Sequence, residues 1–500
     1  MMNEIEERLE VDREKIKNAI RLQMPIEITS YTIPRNMEVY IQRVLELFLD
    51  ECHQEHLRDA LSFCLGELLT NAKKANTKRV YFEEKGLDIN NPKDYEEGMK
   101  DFRDETFDNI NYYLEMQRRA GLYVKIVLQL KEDKIFIEIR NNSLLTDSEK
   151  VRIKDKLDSV QQYKSMEEVL GTVLDQTEGA GLGIIIVILM LQKVGLSKEN
   201  YQVFTEDEET VTRIILPGNG NIFAAVEIMS YELSYMIDQI PVVKNHFEII
   251  NALVASPTLE RQAIKQAIRE DIGLALLAQK YALEKDSSAV GIKKCLSLLS
   301  DDELRYIYSD SNPSIRIVEN SPVLENMVFH AQRTAYFAYN MFKNYQEEMN
   351  MADELNADVM YALGLFNSIG FALIETQTEE QRSYMEELSQ QYEEDWKKIM
   401  DVFNFGNTAN YIKRIYAKKS QMPAFATYII SCWNSRRGKL PERFMFAVDV
   451  LYMSEMMQYY DEKIADFYQI DRKILKKYGI LDEKMFKTMI TKMKTSLDND

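Results

Sequence analysis

The chain has 500 residues, 45% of them hydrophobic and 29% charged, which excludes wholesale disorder and is too long for one compact core, so two or three domains are expected. A formal net charge of −19 argues against general, sequence-independent binding to nucleic acid or to an anionic membrane. Four cysteines (Cys52, Cys64, Cys295, Cys432) without a C-x-x-C pair point to a reducing compartment, and four histidines (His53, His56, His246, His330) are too few for a histidine-rich metal cluster.

In chain order, residues 2–22 read as a short charged helix with no apolar signal core. IEITSYTI (26–33) alternates as a strand, and Pro34 and Asn36 open a helix over MEVYIQRVLELFLDEC. A second helix runs from about His56 through Ala75, and RVYF (79–82) reads as the start of a strand. The polar stretch over about 83–121 reads as an inserted loop and helix. LYVKIVLQL (122–130) and KIFIEIRN (134–141) alternate as two strands joined by a hairpin at Lys131–Asp133. Residues 147–176 are polar and helical in pattern. EGAGLG then opens an apolar helix containing IIIVILML (184–191), a run far below the roughly 20 residues needed to span a bilayer. QVFTEDEETVTRIILP (202–217) makes two strands around an acidic turn. The first half is thus an α+β sandwich with helices on one side of an antiparallel sheet.

PGNGNI (217–222) marks a linker, placed at 218–224. Beyond it, apolar residues recur at three and four, and 225–500 is expected to be all-helical. The expected organisation is an N-terminal helix (1–25), an α/β domain (26–217) and the helical domain. With no apolar span and no secretory signal, the expected location is cytoplasmic.

The helix ending ELLTNAKKAN places Glu67, Asn71 and Lys74 on one side, at spacings of four and three. That side is either a solvated face or a nucleotide and magnesium site. ELLTNAKKAN, IFIEIRNNSLL and EGAGLGIII, in that order, resemble the ATP-binding domain of the GHKL superfamily, which includes histidine kinases and anti-sigma serine kinases. The resemblance implies ATP and Mg²⁺ as ligands. Asn71 matches the metal-ligating amide, and a hard cation accepts one such oxygen with phosphates and waters. Glu67 matches the catalytic carboxylate that orients a water or acts as base, and Lys74 a lysine facing phosphate. Gly179, Gly181, Leu182 and Gly183 belong to the turn whose backbone amides approach phosphate. Residues 147–178 would form the lid. In the family an aspartate reads the adenine amino group; here Asn141 holds that position, with Ser143 and Leu145 where the family has glycines. Asn141 can accept through its carbonyl oxygen without a carboxylate's charge.

The second half resembles an HDOD domain, a relative of the HD hydrolases. The resemblance rests on the Ile240-Pro241 turn, Ser256-Pro257, Asp271 to Ala275, residues 290–305, the helix bearing His330, and the closing YGILDEKMFKTMITKM. Asn367 and Ser368 stand where the metal-binding His-Asp pair would lie, so HD phosphohydrolase activity is excluded and a metal-free output module is implied. The combined expectation is a cytoplasmic signalling protein that binds ATP-Mg in its first domain and a protein partner through its second, with room for a homodimer. An anti-sigma-type serine/threonine kinase and a non-catalytic scaffold are the alternatives.

Overall fold

The structure is a computed structural model that describes residues 11–160, 182–218, 220–346, 352–392, 396–403, 406–432 and 441–495. The chain divides into two compact units, Met1–Gly220 and Asn221–Asp500.

The first unit is built on a five-stranded antiparallel sheet in the order β1-β2-β3-β5-β4. Its strands are β1 (Ile26–Ser30), β2 (Val124–Lys131), β3 (Lys134–Asn141), β4 (Tyr201–Glu206) and β5 (Glu209–Pro217). Alternation decides the two faces. Ile126, Leu128 and Leu130 of β2, Ile135, Ile137 and Ile139 of β3, and Ile214 and Leu216 of β5 are buried on one face. Helices α1 (Arg13–Arg21), α2 (Arg35–Glu51) and α3 (Arg58–Lys85) precede the hairpin, and α3 packs on β2 and β3. The opposite face carries charges in cross-strand register. Glu138 lies opposite Arg213 and accepts from its Nε at 2.6 Å, and Lys125 donates to Glu209 at 2.6 Å. The β4–β5 turn places Asp207 and Glu208 at φ 49° and 63°, the two left-handed residues of a tight hairpin loop.

RVYF is not a strand. It is the last part of α3, which runs unbroken to Lys85 and is capped by Gly86 at φ 65°. The physical reason lies in the insertion, which forms two helices, α4 (Pro92–Asp108) and α5 (Ile110–Arg119). These cover Val80, Tyr81 and Phe82, which with Tyr113 form a small separate core. Three consecutive buried residues need cover on more than one side, and a helix between two others supplies it. Residues 147–159 form α6 (Asp147–Ser159), opened by a capping box between Thr146 and Glu149. The apolar helix is α7 (Leu182–Lys193).

The second unit is mainly helical but not all-helical. Ile240–Val243 (β6) pairs in parallel with Ile315–Val318 (β7). Ile240-Pro241, expected as a turn, therefore lies in a strand whose four residues are all buried. A segment this short carries too little alternation to be legible. The division between the units falls within the expected linker 218–224, where a helix already begins at Gly220. The helical stretch Ala357–Glu375 is long and apolar enough to span a membrane by composition, but 78% of it is buried inside the protein, as in a core helix.

Candidate functional site

Helix α3 positions the first part of the site. Leu61, Leu65, Leu68, Leu69 and Ala72 are buried, so residues on the other side of the helix face outward. Asn71 and Lys74 are exposed and Glu67 is half-buried. Lys74 makes no ion pair with any described residue, whereas its neighbour Lys73 pairs with Glu38.

Helix α7 lies against this side. A Cβ placed on Gly183 would stand 2.6 Å from Glu67 Oε2 and 3.8 Å from Asn71 Nδ2. The first turn of α7 thus lies close to the Glu67 carboxylate and beside Asn71, and any side chain at 183 would make Glu67 shift. Cys64 Sγ, 3.9 Å from the Val187 carbonyl, fixes the same pair of helices one turn deeper. The structure therefore brings Glu67, Asn71 and Gly183 together although more than a hundred residues separate them in sequence. Leu182 is the first residue of α7. Gly179 and Gly181 lie outside the described residues, as does most of the expected lid.

Asn141 sits at the end of β3 on the helix-covered face and is nearly fully buried. It belongs to a polar network that the sequence reading overlooked. Asn76 Nδ2 donates to the Tyr123 carbonyl at 3.1 Å. Ser143 Oγ donates to Asn76 Oδ1 at 2.7 Å, and Thr210 Oγ1 donates to the Ser143 carbonyl at 2.7 Å. Asn141 Nδ2 donates to Asn76 Oδ1 at 3.3 Å and to the Ser143 carbonyl at 3.4 Å. Asn76 is the last residue of ELLTNAKKAN. Five residues past Asn71 it lies about 7.5 Å further along the axis and on the sheet side. A polar residue in the buried stripe of an amphipathic helix was the available signal.

Beyond this network α3 holds α6. Lys78 and Arg79 donate to Glu149 at 3.1 and 2.8 Å, and Arg79 also donates to the Leu144 carbonyl at 2.5 Å. Burial opposes the Glu149 charge, but the Arg79 hydrogen bond and the two cations prevail and hold its carboxyl at about 2. The cation of Lys78 and that of Arg152 lie 5.4 and 4.7 Å from the centre of the Tyr95 ring, tying α4 into the same junction.

In the second unit, Asn367 caps the helix Ala357–Phe366. Its Oδ1 accepts from Lys413 Nζ at 2.7 Å, and both residues are buried. Glu455, buried nearby on the helix Glu442–Asp461, accepts from Tyr459 at 2.8 Å. Burial pushes its carboxyl up to about 7, with Lys413 and Tyr459 pulling the other way. His330 lies 2.9 Å from Glu462 and 3.2 Å from Gln458. Asp271 is fully buried and accepts from the Gly273 and Leu274 amides at 2.7 and 3.2 Å, and it meets His246 Nδ1 at 3.0 Å. Among the described residues no group of three or more His, Cys, Asp or Glu side chains could hold a metal ion.

No protein-family model matches the chain. Among solved structures it is similar to the MmoQ response regulator (fragment 20–298) of Methylococcus capsulatus Bath, at 12% identity and a TM-score of 0.38, over 50% of this chain and 94% of that one. It is similar to a virulence factor of Campylobacter jejuni at 12% identity and a TM-score of 0.38, over 54% of this chain and 98% of the other. A protein of Treponema pallidum (strain Nichols), described only as uncharacterized, is 37% identical over 367 residues, spanning 72% of this chain and 70% of its own length. Identity of that depth over that span shows that the chain belongs to the family of this Treponema pallidum protein.

Proposed function

We propose that the first unit is a GHKL-like domain that binds an adenine nucleotide with Mg²⁺, and that the second is a metal-free, HDOD-like module that binds a protein partner in a signalling pathway. The observation that carries the nucleotide reading is the juxtaposition of Gly183 with Glu67 and Asn71. Two segments distant in sequence place a carboxylate, an amide and a glycine at the first turn of a helix, where an anion is favoured. This donor set fits a hard cation shared with phosphate oxygens, because Asn71 offers an amide oxygen and Glu67 a carboxylate. Mg²⁺ bound there would neutralise phosphate charge. In this reading Glu67 would hold a water or a hydroxyl, the role a kinase or ATPase would use, and Lys74 is an exposed cation one turn beyond Asn71.

The metal-free reading of the second unit is supported by Lys413. Its ammonium sits on Asn367, one of the two residues at the position of the metal pair, and a buried cation there repels a second one. Nucleotide binding would reach a partner only through different affinities for two conformations of the chain.

The test is a titration of the full chain with ATP, ADP and GTP, with and without Mg²⁺. Mg²⁺-dependent ATP binding that weakens at least tenfold in Asn71→Ala is expected. Absence of binding at millimolar nucleotide contradicts the proposal and favours a scaffold.

A further inference from the structure

We propose that Asn76 is the positioning residue that fixes which way the Asn141 amide faces, so that this end of the site accepts a hydrogen bond and selects an amino-bearing base. The inference rests on the nucleotide reading above and adds a residue and a direction of selectivity to it.

The chain of constraint starts at the backbone. The Tyr123 carbonyl can only accept, so the Asn76 atom 3.1 Å from it must be the NH₂ group. This settles the orientation of Asn76 by chemistry and not by electron count. Its Oδ1 then faces Ser143 and Asn141. Ser143 Oγ, 2.7 Å away, donates to it. Asn141 meets two acceptors on one side, Asn76 Oδ1 at 3.3 Å and the Ser143 carbonyl at 3.4 Å. Only an NH₂ group satisfies both. Each bond is long and individually weak, but the reversed amide would set oxygen against two oxygens in a buried place. The Asn141 carbonyl oxygen is therefore turned away from this network and receives no hydrogen bond from a described residue.

A base that meets this oxygen must bring a donor. Adenine offers its 6-amino group, whereas guanine offers a carbonyl oxygen at the same place. A site that leaves a buried acceptor facing an acceptor rejects the wrong ligand by an unpaired polar contact, a strong form of discrimination. The same geometry makes a counterintuitive claim. An aspartate at 141 carries a stronger acceptor for an amino group, but its second oxygen would face Asn76 Oδ1 and the Ser143 carbonyl. In this chain the substitution should weaken ATP binding.

The experiment is calorimetric titration of the full chain with ATP and with GTP in Mg²⁺, for the wild type, Asn76→Ala and Asn141→Asp. The wild type is expected to prefer ATP at least tenfold. Asn76→Ala, which removes one of the two acceptors that hold the Asn141 amide, should lower the ATP-to-GTP ratio at least threefold. A residue that merely supports the fold would weaken both nucleotides alike and leave the ratio intact, and that result overturns the inference. Asn141→Asp should bind ATP at least tenfold more weakly than wild type, and tighter binding overturns the inference even where Asn76→Ala fails to fold. A wild type that binds neither nucleotide removes the nucleotide reading and this inference with it. A wild type that binds ATP with an Asn76-independent ratio removes only the inference.

Discussion

Replacing Glu455 by glutamine tests the buried polar centre of the second unit. The carboxyl is held up to about 7 in the folded protein, against an ordinary value of 4.5, chiefly because burial penalises its charge. The groups facing it are Lys413, Asn367, Tyr459 and His330. The folded state thus binds the proton more tightly than the unfolded chain. The resulting stability is fully present below about 4.5 and is lost as pH rises through about 7. At about 1.4 kcal/mol for each tenfold difference, the complete effect is about 3 kcal/mol, and the part lost between pH 5.5 and 8 is about 2 kcal/mol. For a unit of this size that corresponds to a fall in Tm of about 4–8 °C. Glutamine keeps the shape and cannot ionise. Thermal unfolding of the full chain followed from pH 5.5 to 8 should show this fall in the wild type, over and above that of Glu455→Gln. Parallel pH profiles for the two proteins would refute the reasoning.

Three further outcomes follow from the first unit. Gly183→Ala should push the Glu67 carboxylate aside while leaving stability in a thermal melt within about 1 kcal/mol of wild type, because the clash is with the tip of a flexible side chain and alanine favours the helix. Glu149→Gln should cost about 1–3 kcal/mol at pH 7 by stranding Lys78 and Arg79. Because the Glu149 carboxyl is depressed to about 2, its contribution is present above about 4.5 and is lost as pH falls toward 2, so wild type and variant should converge in acid denaturation.

The sheet was legible because its strands are long and one face is covered. Alternation in KIFIEIR marks every residue's face, and the turn expected at Lys131–Asp133 tightens to Glu132–Asp133, because Lys131 still pairs with Lys134. The same rule failed where packing outweighed pattern. RVYF looks extended in isolation, but the insertion encloses Val80, Tyr81 and Phe82 and keeps α3 helical. Ile240–Val243 failed for the opposite reason, since four buried residues show no alternation. In the site, Glu67 and Asn71 were found by helical spacing and Gly183 by its glycine-rich turn. Asn76 was passed over because its role depends on Tyr123, Ser143 and Asn141, which approach it only in the folded sheet. Asn141, expected as a base contact without a carboxylate's charge, also belongs to a polar network with Asn76 and Ser143 whose orientation the sequence does not disclose.

The most direct measurement of the central claim is calorimetric titration of the full chain with ATP, in Mg²⁺ and in a chelator, for the wild type and Asn71→Ala. The account predicts saturable binding by the wild type that depends on Mg²⁺ and is weakened at least tenfold by the substitution. Binding equal in both proteins, or none at millimolar ATP, would contradict it.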